Sequence, residues 1–254
     1  MNNKFILDSF TWSFSRINAY EQCPRMFKMT YIDCLGQEEN TFAQFGTFGH
    51  SLLEQYFNNK LEFFELSQIY EEKYRDNVKL KFPPNAYVNL NETYYKAGRE
   101  YFDNFEGFYN DCEVLGIEEE IRIKIGEYDF LGYIDLILKS KDGIIIVDHK
   151  SKSKFKSKKE KRDYLRQLYL YSIYVYEKFG EYPIKLIFNM FRNNTIIEEP
   201  FNIEALEEAK KWCLDSIAKI YNDTEFATKS DDFFCNWLCS TRSNCICSDK
   251  YLGE

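Results

Sequence analysis

The spacing of hydrophobic residues along the chain changes once, from a helical period to a strand period. Residues 13–32, SFSRINAYEQCPRMFKMTYI, offer Ser13 and Ser15 as N-caps and then read as a helix that Pro24 interrupts. Residues 46–60, GTFGHSLLEQYFNNK, read as a second helix entered through Gly46 and Gly49. Two more helices follow, from about 64 to 80 and from about 92 to 110, with the Pro83-Pro84 pair between them. Beyond them the period becomes two: EVLGIEEEIRIKI (113–125) alternates as a strand, Gly126-Glu127 turns the chain, and YDFLGYIDLILKS (128–140) is a second strand. After a turn at Lys141-Asp142-Gly143, the four β-branched residues Ile144 to Val147 of IIIVDHK predict a strand buried on both faces. A helix from about 160 to 179, strands in IKLIFNMF and TIIEEPF, and an amphipathic helix over 202–222 complete the pattern. It predicts one α/β domain spanning 1–254, with a helical part (1–110), a sheet core (111–200), and a last helix with a cysteine-rich tail (201–254).

Composition narrows the class. A chain of 254 residues with 44% hydrophobic and 29% charged residues can bury a core, which excludes general disorder, collagen-like repeats and a disulfide miniprotein. No apolar run approaches the roughly 20 residues that cross a bilayer, and the start MNNKFILDSFTW lacks a signal-peptide pattern, so a soluble cytoplasmic protein with no membrane role is expected. The 20 Tyr, 23 Phe and 3 Trp are expected mostly in the core, with some free to stack on nucleic-acid bases. The net charge of −8 conceals a local field: Lys150 to Arg166 holds nine basic and two acidic residues, a net of +7 that leaves −15 for the rest. Such a run is either a solvated face or a device that draws a phosphate backbone. Phe155 and Tyr164 within it are candidates for base stacking or for loop packing.

The chemistry concentrates at the ends of two predicted strands. Asp135 lies near the end of the second, and Asp148-His149-Lys150 ends the third; if these strands pair as a hairpin, Asp135 approaches Asp148, with Lys150 on the same face. Two adjacent carboxylates repel unless a cation lies between them, and oxygen ligands suit Mg²⁺ or Mn²⁺. A hairpin whose charged ends face water is the plain alternative. His50 can add a nitrogen ligand, and Gln167 and Tyr171, spaced i and i+4, share a face of the helix after the basic run. No GxxxxGK[ST] phosphate loop is present. Cysteines cluster as Cys235-x3-Cys239-x5-Cys245-x-Cys247, with Cys23 near the other end, and Cys34, Cys112 and Cys213 stand alone as expected core residues. Gathered thiolates suit tetrahedral zinc or an iron-sulfur cluster.

The order GxxGH (46–50), GxID (132–135), DxK (148–150) and QxxxY (167–171) resembles the PD-(D/E)XK nucleases of RecB type. More closely it resembles the iron-sulfur branch that includes the AddB nuclease domain and the exonucleases of CRISPR adaptation. The resemblance implies a restriction-endonuclease-like mixed sheet flanked by helices. It further implies that His50, Asp135, Asp148 and the carbonyl of His149 hold Mg²⁺ or Mn²⁺, that Lys150 is the catalytic lysine, and that Gln167 and Tyr171 support the site and the DNA strand. Glu119 or Glu120 would match an acid on the preceding strand. The same resemblance implies a 4Fe-4S cluster on Cys23, Cys239 and Cys245, with Cys235 as the fourth ligand and Cys247 as its replacement; a zinc site on the four C-terminal cysteines is the alternative. The expected activity is that of a metal-dependent exonuclease on single-stranded DNA ends, working alone or with a separate helicase, recombinase or integration protein. A flap or branched-DNA endonuclease and a non-catalytic nucleic-acid-binding module are the competing readings.

Overall fold

A computed structural model describes residues 3–229 and 231–253, so the first two residues of the MNNKF start lie outside the description. The helices are α1 (Lys4–Leu7), α2 (Phe14–Gln22), α3 (Pro24–Phe27), α4 (Thr41–Phe57), α5 (Leu66–Asn77), α6 (Leu90–Asp103), α7 (Lys158–Phe179) and α8 (Ile203–Asn222). The strands are β1 (Glu113–Ile125), β2 (Tyr128–Lys139), β3 (Ile144–Lys150), β4 (Lys185–Met190) and β5 (Thr195–Pro200). They form one mixed sheet in the order β1-β2-β3-β4-β5, the expected α/β architecture of a sheet flanked by helices. Among the described residues no helix is long and apolar enough to cross a membrane.

The chain groups into two compact units. One comprises residues 41–121 and 133–207; the other, residues 1–40, 122–132 and 208–254. The first of these carries the sheet core. β2 and β3 are antiparallel with Leu136 opposite Val147, and β3 and β4 are parallel with Lys150 opposite Met190. A parallel pair needs a crossover, and α7 supplies it between β3 and β4. Strand β3 is buried from Ile144 through His149, as its unbroken β-branched run predicts. One face of the sheet presents Leu136, Leu138, Ile145, Val147 and Ile187 to an aromatic-rich layer of α4, α5 and α6 that includes Phe45, Phe48, Tyr70, Tyr94 and Phe102. Because β-strand side chains alternate, Asp148 and Lys150 point to the opposite face, where Lys150 reaches Gln167 of α7. Ser157 caps α7 by accepting from the Glu160 N–H, and Gly180, at φ 77°, ends it in the left-handed conformation glycine tolerates.

Helix α4 begins at Thr41, earlier than Gly46 and Gly49 suggest, so both glycines lie inside it. Packing is the reason for Gly49: a Cβ there would stand 2.6 Å from the Phe191 ring, so only glycine lets α4 close on the end of β4. That approach sets the depth of the next residue, His50.

The second unit is built around its own aromatic core. Trp12, 1% exposed, bonds through its main chain to Asp129 and Leu131, and Phe27 stacks on Phe226 at 6.3 Å. Arg242 is buried and donates to the carbonyls of Cys239 (3.1 Å) and Glu39 (2.7 Å), with Glu38 Oε2 3.1 Å away. The Glu38 Oε1 accepts from the Ser243 N–H at 2.9 Å, so the cysteine-rich tail is tied to residues 38–39 by a satisfied polar network. Cys213 is buried as expected, whereas Cys34 is exposed, in a left-handed residue at φ 54° just after α3 and its π-helical extension end.

Candidate active site and metal centre

The pairing of β2 with β3 brings Asp135 to the residues that end β3. Leu136 faces Val147 across the antiparallel ladder, one step short of Asp135 and Asp148. The main-chain N–H of His149 donates to Asp135 Oδ2 at 2.6 Å. On the other side, His50 Nδ1 of α4 lies 3.5 Å from the same oxygen. Glu118 of β1 completes the group: one ligand atom each from His50, Glu118 and Asp135 converge within 4.8 Å of one another.

Glu118 is the site residue that sequence reasoning missed. Glu119 instead bonds Tyr174 and Lys178 of α7, and Glu120 accepts from the Tyr133 hydroxyl at 2.9 Å, so neither of the two acids expected on this strand joins the cluster. The cause is local backbone geometry: Glu118 has φ 46°, a left-handed residue inside a strand, which re-aims its side chain out of the simple alternation. Three consecutive glutamates were the only sequence signal.

Asp148 and Lys150 form a buried pair beside this group. Lys150 Nζ donates to Asp148 Oδ1 at 2.9 Å and to Gln167 Oε1 at 3.4 Å, and Gln167 Nε2 donates to the Tyr171 hydroxyl at 3.1 Å. The amide of Gln167 is thereby oriented at both ends, holding the ammonium with its oxygen and Tyr171 with its nitrogen. Burial pushes the Tyr171 hydroxyl up to about 12, so it stays neutral. Asp148 Oδ2 is 2.7 Å from the same ammonium but out of line for a hydrogen bond, and this buried oxygen accepts none from any described residue. The imidazole of His149 is held in the core beside the site: Nδ1 lies 3.0 Å from Asn189 Nδ2, and the ring stacks on Phe57. Burial lowers its pKa to about 3, so it is neutral; residue 149 meets the cluster through its main-chain N–H to Asp135 and through an edge-to-face contact with the His50 ring, 5.8 Å between centroids.

The electrostatics favour a cation. Burial first, and then Asp135, raise the Glu118 carboxyl to about 7, with further pressure from Glu54 and Asp148 that His50 only partly relieves. Burial also lifts Asp148 above the usual carboxylate range, with Lys150 opposing and Asp135 adding to the rise. Crowded carboxylates that resist ionising, one imidazole, and a buried carboxylate oxygen without a donor fit a hard to borderline divalent ion such as Mg²⁺ or Mn²⁺. An ion must compete with the Glu118 proton, so affinity is expected to climb with pH through about 7. Titration with Mn²⁺ in buffers of different ionisation heats should show proton release near pH 6.5 that Glu118→Gln suppresses; unchanged proton release in that variant would remove Glu118 from the site.

Five of the nine cations of the basic run are held in ion pairs, Lys150 with Asp148 among them. Lys152 pairs with Glu160 (2.8 Å), Lys159 and Arg166 with Asp163, and Lys161 with Glu199. Phe155 packs between Tyr164 (5.4 Å between centroids) and Phe188 (5.1 Å), which is the loop-packing role rather than an exposed stacking platform.

The other unit holds the cysteine cluster. Cys23, Cys235, Cys239 and Cys245 are buried, while Cys247 is exposed. Burial, and then the neighbouring thiols Cys239, Cys245, Cys247 and Cys23, push Cys235 up to about 11. Cys23 and Cys239 pack in one buried cluster with Met26, and Cys245 is, like Cys235, pushed up chiefly by burial, so the four buried thiols are a donor set that suits a soft, positively charged centre.

An imidazole and carboxylates gathered at the end of a mixed sheet, next to a buried lysine, are the equipment of a metal-dependent nuclease. The family comparison agrees: residues 11–246 match the PD-(D/E)XK nuclease superfamily, and the chain belongs to it. Members of that superfamily are typically metal-dependent nucleases. No curated protein matches the chain.

Proposed function

We propose that this protein is a DNA nuclease that hydrolyses phosphodiester bonds from single-stranded ends. The observation that carries the reading is the convergence of His50, Glu118 and Asp135 within 4.8 Å beside the Asp148–Lys150 pair. His50, Glu118, Asp135 and Asp148, with the carbonyl of His149, would hold Mg²⁺ or Mn²⁺. Such an ion supplies Lewis-acid polarisation of a phosphate oxygen and an acidified water. The protein's own contribution is positional. Asp148 and Gln167 hold the Lys150 ammonium where it neutralises charge growing on the phosphate, and Tyr171 fixes Gln167. The main-chain N–H of His149 fixes the Asp135 carboxylate.

In the other unit, Cys23, Cys235, Cys239 and Cys245 would hold a 4Fe-4S cluster as a structural staple, in keeping with their burial and mutual proximity. The protein would act alone or on ends delivered by a separate helicase, recombinase or integration protein.

End-labelled and circular single-stranded oligonucleotides incubated with Mn²⁺ test this directly. Wild-type protein should shorten the linear strand and leave the circle intact, and Asp135→Asn should do neither. Cutting of the circle would favour the endonuclease reading, and binding without any cleavage would favour the non-catalytic module.

A further inference from the structure

The sheet end just beyond Lys150 carries a cation that the metal cluster does not use. The Phe191 N–H donates to the Lys150 carbonyl at 3.1 Å, so Arg192 leaves β4 beside the point where Ser151 leaves β3. The guanidinium carbon of Arg192 sits 3.8 Å from the centroid of the Tyr94 ring on α6, a close stacking contact. The Lys152 ammonium lies 4.9 Å from the Tyr164 ring, which is also 5.3 Å from the Lys150 ammonium, and the charges of Arg192 and Lys152 both oppose the rise that burial gives the Tyr94 hydroxyl.

Three cations therefore gather where two parallel strands end, and their partners differ. Lys150 is paired with Asp148, and Lys152 with Glu160. Among the described residues, Arg192 pairs with no carboxylate; it rests on the Tyr94 face. Stacking on a ring uses the flat face of a guanidinium and leaves the in-plane N–H donors available, in the fork that matches two phosphate oxygens. It also fixes the side chain in advance, which reduces the entropy lost when an anion binds. The ring itself is well anchored, since Tyr94 is buried between Phe42, Phe45 and Phe82.

We infer that Arg192, stacked on Tyr94 and flanked by Lys152, binds a phosphate of the substrate strand other than the one cleaved, holding the backbone in register with the site at Lys150. This inference rests on the nuclease reading above. The contact recognises a phosphodiester backbone without regard to base sequence. Arg192 is the contact residue, and Tyr94 positions it.

Steady-state cleavage of an end-labelled oligonucleotide in Mn²⁺, measured between about 50 and 200 mM salt, tests the assignment in wild type, Arg192→Gln, Arg192→Lys and Arg99→Gln. Arg99 is a matched control for loss of one charge, being already paired with Glu71 and Asp103. Arg192→Gln should raise KM by about tenfold with kcat nearly unchanged. The slope of log kcat/KM against log salt should fall by about 0.7, the value for one phosphate on a single strand. Arg192→Lys should keep the slope while losing part of the affinity, and Arg99→Gln should match wild type. Should Arg192→Gln lower the thermal midpoint, Arg192→Lys carries the test through the same two readings. Wild-type KM and slope in Arg192→Gln, or a fall in kcat alone, would overturn the phosphate contact while leaving the nuclease reading intact. Failure of the wild-type chain to cleave DNA at all would overturn both.

Discussion

Lys150→Met is expected to reduce cleavage by at least about a hundredfold, the order found when a preorganised charge is removed from a developing oxyanion, and to make stability newly dependent on pH. Lys150 is held by Asp148 and Gln167, while the nearby cations have partners of their own, Lys152 with Glu160 and Arg192 with the Tyr94 face. Burial works against its charge, yet Asp148 and Asp135 outweigh burial and raise its pKa, which keeps the ammonium charged across the working range. Methionine keeps the volume of the stem and removes the charge. Asp148 is then a buried carboxylate that has lost its counter-ion, and breaking such a pair costs about 3 kcal/mol or more when the remaining group is ionised.

The sign of the pH effect follows from Asp148. Its folded-state pKa already lies above the unfolded value because of burial, and loss of Lys150 removes the main influence that lowers it. A carboxyl with a raised folded pKa stabilises the fold below its unfolded pKa, and this contribution is lost as pH rises through the folded value. In metal-free protein the variant should therefore melt close to wild type near pH 5 and well below it at pH 8. Paired thermal melts at the two values read this out. An equal deficit at both would mean that the loss is one of packing, and retained cleavage would remove Lys150 from the chemistry.

The second large effect is expected in the cysteine cluster. Cys239→Ser and Cys23→Ser should each lose bound iron and lower the melting temperature by roughly 10 °C or more, while Cys247→Ser, altering an exposed thiol, should do neither. Cys23 and Cys235 are about 200 residues apart in sequence, and a link across such a span is worth roughly 5 kcal/mol in restraint of the unfolded chain. Metal and sulfide analysis of anaerobically purified protein gives the first readout, with about four irons per chain expected. The variants also separate the two candidate centres. A zinc site made from the four C-terminal cysteines would survive Cys23→Ser and fail in Cys247→Ser, the reverse of the pattern expected for the cluster. The loss should be severe because binding free energy of the centre is folding free energy: without it the link between the two ends of the chain is gone.

Helices and strands were legible in the chain to within a few residues because hydrophobic period is local. The run from Ile144 to Val147 could only be an inner strand, and Gln167 and Tyr171 had to share one face of a helix. The alternation of β2 and β3 was also enough to direct Asp135 and Asp148 toward one another once a hairpin was assumed, since the register of paired strands follows from which face is buried. The tertiary structure decided what no local period encodes. Glu118 enters the cluster, and Glu119 and Glu120 leave it, because one left-handed residue shifts the phase of β1. Gly49 belongs inside α4 because Phe191, distant in sequence, occupies the space of its Cβ. Five of the nine cations of the basic run are held in ion pairs, and Arg192, unremarkable in the sequence, lies stacked on an aromatic face beside the site. Sequence period reports the burial of a face; which side chains meet on it, and which charges are already neutralised, depends on contacts between residues far apart in the chain.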